Sequence, residues 1–231
     1  MEPGRSGSVF AAARACSSSD SAAGRAAPDA GPVDFDFYQA VDADVPPDPT
    51  NNVGGSGRFL TRLLDYTLQC APRGRFDHAE IVGHELRARS RTWAFASPNT
   101  GTMAVSDVEI TVTFNEDFAA AEGVLSGLAP LCALTRSYLP GSQTGNMLEL
   151  IANGYGVEPD VDVDGDGLET VTGDGHGGIK ECVDGAQAVP PAARITGNEC
   201  ACDPRMADGY SMAWRATLVP ATLVGIADNG S

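Results

Sequence analysis

Between Pro159 and Glu169 the chain reads PDVDVDGDGLE, which sets Asp160, Asp162, Asp164 and Asp166 two residues apart and adds Glu169. Carboxylates packed this closely repel one another, and none can be buried unpartnered without a large desolvation cost. The segment is therefore neither a core strand nor an amphipathic helix. It folds either as a solvated acidic turn or around a hard cation. Gly165 and Gly167 permit the left-handed backbone that wrapping oxygens around an ion requires. Calcium accepts about 6–8 oxygens at about 2.3–2.6 Å from a flexible loop, whereas magnesium tolerates crowded all-protein cages poorly. Leu168 can enter the core with its carbonyl facing the metal.

Isolated Asp-Gly pairs ordinarily mark hairpin turns. Five acids within residues 160–169, with glycines in register, favour the cation. The expected ligands are Asp160, Asp162, Asp164, Asp166 and Glu169, with Asp174 as a sixth. The match to an EF-hand loop is partial. Counted from Asp162, the three alternate aspartates and Gly167 fall in place, but the terminal glutamate is replaced by Gly173. Thrombospondin-like and dockerin-like loops are looser relatives in style. A weaker half-loop follows from Asp174 to Gly185.

Charge is distributed unevenly. The formal net charge is −16, a field that repels nucleic acid and anionic membrane and disfavours both as partners. No stretch approaches the roughly 20 apolar residues of a membrane helix. The middle of the chain is nearly balanced, while Asp160 to Asp184 holds eight acids against one base, Lys180. Residues 1–57 are rich in Ala, Ser, Gly, Pro and Asp, with Val33 to Tyr38 as their only apolar cluster. Such a composition buries little surface and reads as a disordered signal- or tether-like segment, ending in a Pro- and Gly-rich linker.

Six cysteines, at positions 16, 70, 132, 182, 200 and 202, suit an oxidising compartment and hence export. Cys70 with Cys132, and Cys182 with Cys200 or Cys202, are plausible disulfides, although connectivity cannot be deduced from sequence. Cys16 follows small residues and precedes a serine-rich stretch, the pattern of a bacterial lipoprotein site, but Arg14 and a short apolar core weaken the signal. His176, Cys182, Cys200 and Cys202 form a Cys3His zinc set that lacks paired knuckle spacing.

The expected fold is mainly β: one antiparallel, sandwich-like domain over residues 58–231 with a few short helices. Residues 103–114 alternate Val108, Ile110, Val112 and Phe114 with polar neighbours, a half-buried strand. Residues 91–96 also read as a strand, and 58–68 fit strand or helix. Helical spacing runs over 125–139 and 145–152, the latter capped by Ser142 or Thr144 and stopped at Gly154. Residues 211–216 and 217–226 are strands broken at Pro220.

With its surroundings, the run PDVDVDGDGLETV, IKECVDG, ITGNEC and DPRMADGYSMAWRATLVPATLVG resembles the C-terminal half of a group of predicted secreted proteins or lipoproteins from myxobacteria and related bacteria. Residues 123–226 carry the resemblance, which marks a family more than a function. In those relatives the second loop tends to read D-G-D-G; here His176 and Lys180 stand where aspartates are expected. The resemblance implies export and favours lipidation of Cys16, placing the chain in the periplasm or at the outer membrane and cell surface.

No G-x-S-x-G elbow, P-loop or dinucleotide fingerprint occurs, and the His84-Glu85 pair lacks a second histidine because residue 88 is Ala. The expectation is a non-enzymatic surface protein stabilised by calcium. A calcium-dependent module for carbohydrate or another surface polymer is the alternative, with Trp93, Tyr210 and Trp214 as stacking residues if they are not core aromatics. A cell-envelope hydrolase is the third reading.

Overall fold

The computed structural model of the chain describes residues 30–38, 40–62, 65–67, 71–97, 101–137, 145–185 and 193–227. The fold is mainly β, with antiparallel sheets and a few short helices. Six strands form one sheet in the order β1 (Gly31–Pro32), β4 (His78–Val82), β5 (Glu85–Ser97), β6 (Gly101–Phe114), β7 (Ala121–Pro130) and β11 (Gly209–Leu218). A second sheet orders β10 (Arg194–Thr196), β9 (Ile179–Val183) and β8 (Thr170–Gly173). The third orders β12 (Ala221–Ala227), β3 (Gly57–Arg62) and β2 (Ala40–Asp42), with β12 parallel to β3.

The alternation expected in β6 is present. Val108, Ile110 and Val112 are all buried, but Met103 and Val105 are buried on the opposite phase. The phase changes at Asp107, which is exposed and takes a left-handed φ of +48°.

The described chain divides into two compact units. The first comprises the described residues up to Ser90, Glu109–Leu125 and those from Trp214 onward. Its core takes in residues 30–38 and 40–57 of the range expected as a tether, and residues 1–29 lie outside the described residues. β1, β2 and a short helix α1 (Pro49–Val53, capped by Asp48) all lie inside that range. Phe35, Phe37 and Tyr38 are buried, with Phe35 edge-on to Phe76 at 5.2 Å and Tyr38 against Tyr66 at 5.5 Å. Asp36 accepts two hydrogen bonds from the Arg75 guanidinium, at 2.9 and 3.2 Å. Average composition hides this: three aromatics in four residues, each worth about 1.5–3 kcal/mol when buried, offset the ordering of an otherwise polar stretch.

The second unit comprises Arg91–Val108 and Ser126–Ala213. The helix expected over 125–139 is strand β7 as far as Pro130, followed by α2 (Leu131–Thr135). Leucine spacing mimicked a helix, but Gly127 lies so close to Val105 that a Cβ there would approach its Cγ1 to 2.6 Å. Strand packing overrode the local pattern. The next helix is a single turn, α3 (Met147–Glu149), continuing as a π-turn over Leu150–Gly154. Its cap is Asn146, whose side-chain oxygen accepts from the Glu149 N–H at 2.9 Å; Ser142 and Thr144 lie outside the described residues. β11 and β12 appear as expected, separated at Val219-Pro220.

Two disulfides hold the second unit, both ending in the 3₁₀ turn Cys200–Cys202. Cys182 of β9 bonds Cys200, and Cys132 of α2 bonds Cys202. The Cys70–Cys132 pairing is thereby corrected, and Cys70 lies outside the described residues. The zinc set is also overturned, because Cys182, Cys200 and Cys202 are disulfide-bonded and offer no thiolate.

Candidate metal centre

The acidic loop begins where the chain leaves a bridge to the start of β11. Val161 N–H donates to the Gly209 carbonyl at 3.2 Å, and Gly209 N–H returns to Val161 at 3.3 Å. The chain then turns on its own side chains. Asp162 accepts the N–H groups of Gly165, at 2.7 Å, and Gly167, at 3.3 Å, and both glycines have left-handed φ, +83° and +106°. Asp162, Asp164 and Asp166 bring carboxylate oxygens within 4.8 Å of one another on the exposed face of the loop.

Glu169 turns inward immediately before β8. It is 1% exposed, and neither carboxylate oxygen has a hydrogen-bond donor among the described residues. Asp208 and Asp164 form one group with it, oxygens within 4.8 Å of one another, and Asp166 and Asp184 form another. Asp208, wholly buried, is anchored by backbone donors: Val163 N–H at 2.8 Å and Glu169 N–H at 3.2 Å. Its carbonyl in turn accepts from Leu131 N–H, the first residue of α2, at 3.2 Å. Asp184 follows β9, and its N–H donates to the Ala193 carbonyl at 3.0 Å.

Gathering like charges has the expected electrostatic effect. Burial, with Asp208, Asp164 and Asp166 nearby, pushes the Glu169 carboxyl up to about 9. Asp184 beside Asp166, with some loss of hydration and with Asp164 nearby, raises the Asp166 carboxyl to about 6. None of the six carboxylates forms an ion pair with a Lys or Arg among the described residues. Buried carboxylates normally accept several hydrogen bonds. Glu169 is the exception among the described residues, and a proton, a cation or a bound water would compensate it.

Of the residues proposed from sequence, Asp162, Asp164, Asp166 and Glu169 come together. Asp160 does not join them. It accepts from the Ser211 N–H at 2.6 Å and from the Ser211 hydroxyl, which together outweigh burial and hold its carboxyl below the ordinary range. Asp174 closes its own turn, accepting from His176 N–H at 2.7 Å and Gly178 N–H at 3.0 Å, and these donors lower its carboxyl. Sequence reasoning missed Asp184 and Asp208 as partners. Each precedes a glycine, but so do many turn aspartates, and nothing local ties residue 208 to residue 169.

The aromatic candidates divide. Trp93 is buried, as is Tyr210, whose hydroxyl donates to the Val157 carbonyl at 2.9 Å; Trp214 is 39% exposed. His84 is exposed and stacks on Phe118 at 4.9 Å. Cys16 lies outside the described residues, and no helix among those described is long and apolar enough to cross a membrane. Comparison with protein-family models, with curated proteins and with solved structures gives no match.

Proposed function

We propose that this is an exported, surface-attached, non-enzymatic protein whose fold is stabilised by calcium at the centre built around Glu169. The observation that carries the reading is a carboxylate 1% exposed, with both oxygens lacking a hydrogen-bond partner among the described residues and four further carboxylates nearby. A hard cation turns that repulsion into attraction. The donor set is all oxygen and sits on a glycine-rich loop, which suits calcium better than softer metals or magnesium. Asp162, Asp164, Asp166, Glu169, Asp184 and Asp208 would hold it. Since Asp208 also receives N–H groups from Val163 and Glu169, a filled site would fasten the loop to the strands behind it. Extracellular calcium at millimolar levels fills even weak sites of this type, and binding only to the folded state stabilises it by mass action.

Export is supported by the two disulfides and by the family resemblance of residues 123–226. Attachment through a lipid on Cys16 rests on the sequence pattern. The carbohydrate-module reading is weakened because Trp93 and Tyr210 are buried, leaving Trp214 as the exposed stacking residue. The test is a thermal melt of the full oxidised chain in calcium, magnesium or EDTA. A rise in melting temperature selective for calcium is expected. Equal curves in all three would overturn the proposal.

A further inference from the structure

The carboxylates around Glu169 do not form one ring. Two groups contain Glu169, one with Asp164 and Asp208 and the other with Asp166 and Asp184, each with oxygens within 4.8 Å of one another, while a third, of Asp162, Asp164 and Asp166, does not contain it. Asp184 and Asp208 share no such group. Oxygens bound to one calcium ion at about 2.3–2.6 Å are no more than about 5 Å apart, a span each of these groups meets separately, so together they offer two positions that share Glu169. Charge leads to the same result. Six carboxylates without an ion-paired base carry a formal −6, of which one divalent ion offsets only a third. Both Glu169 oxygens lack a hydrogen-bond partner among the described residues, so one is available to each position.

We propose that the centre takes two divalent cations with the Glu169 carboxylate shared between them, one beside Asp164 and Asp208 and the other beside Asp166 and Asp184. This rests on the calcium reading above and deepens it. The inner position has walls fixed by the backbone donors to Asp208. The outer one is formed by the exposed loop against the chain after β9, where Gly185 runs close to the Asp166 backbone. The inner ion fastens the loop to the start of β11, and the outer ion fastens it to the end of β9.

Equilibrium dialysis of the full oxidised chain against radioactive calcium measures the number of ions directly. Two per chain are expected in the native protein, and one in Asp184→Asn. Asp166→Asn, a change at an exposed residue, is expected to give the same loss should Asp184→Asn fail to fold. One ion in the native protein overturns the two-ion proposal and leaves the calcium reading standing. No bound ion overturns both. Two ions retained in both variants would also overturn the proposed arrangement.

Discussion

Glu169 holds opposite consequences for the protein with and without a cation, and pH separates them. Its carboxyl titrates near 9 in the folded chain, against an ordinary 4.5. Below about 4.5 both folded and unfolded states are protonated and the group contributes nothing. Between 4.5 and 9 the unfolded chain releases this proton while the folded chain keeps it, so folding stability falls as pH rises. Asp166, raised to about 6, adds to the decline only at its lower end. In EDTA, the melting temperature is therefore expected to fall from pH 6 to pH 9. In saturating calcium the slope should flatten, because the ion replaces the proton. A melting temperature in EDTA that rises over that interval would contradict this assignment. Gly185 offers a steric test beside the same carboxylates. Its φ is +67°, and a Cβ would come within 2.8 Å of the Asp166 carbonyl oxygen. Gly185→Ala is expected to cost about 1–2 kcal/mol from the left-handed backbone alone and to shrink the calcium-dependent shift. Chemical denaturation with and without calcium measures both.

Among the elements, the hairpin of β8 and β9 and the start of β11 supply the walls that the loop lacks. Local spacing made Asp162, Asp164, Asp166 and Glu169 legible as a group, since alternate carboxylates and glycines encode the turn within eight residues. Asp184 and Asp208 were not legible, because strand pairing and the Cys200–Cys202 turn bring them near, across 15 and 39 residues of chain from Glu169. Asp160 and Asp174 share the local pattern, but nearer donors claim them at Ser211 and at His176 and Gly178. The strand β7 was hidden for a similar reason, as its leucine spacing fits a helix until Gly127 meets Val105. The disulfides bind the same elements together. Cys182 sits two residues before Asp184, and its bond to Cys200 closes a separation of 18 residues, worth roughly 3 kcal/mol in the chain-entropy view. Reduction is therefore expected to weaken calcium binding at least tenfold. Calcium titrations before and after full reduction would show this, and an unchanged affinity would separate the centre from the disulfides.

At the scale of the whole molecule, a net charge of −16 opposes compaction, and its densest concentration lies at this centre. The alternation of β6 and the strands at 211–226 made the β class readable in advance. The packed stretch from Val33 to Tyr38 was obscured by a tether-like average, although its aromatics were visible. What composition could not convey is that the acidic excess is partly internal, with Glu169 and Asp208 both buried. The most direct measurement is the difference in melting temperature between calcium and EDTA, at pH 7.5, for the native chain and for Glu169→Gln. The variant is expected to melt at least as high as the native chain in EDTA, since a neutral amide needs no proton taken up on folding at that pH, and to lose most of the rise in calcium. An undiminished calcium shift in Glu169→Gln would contradict it.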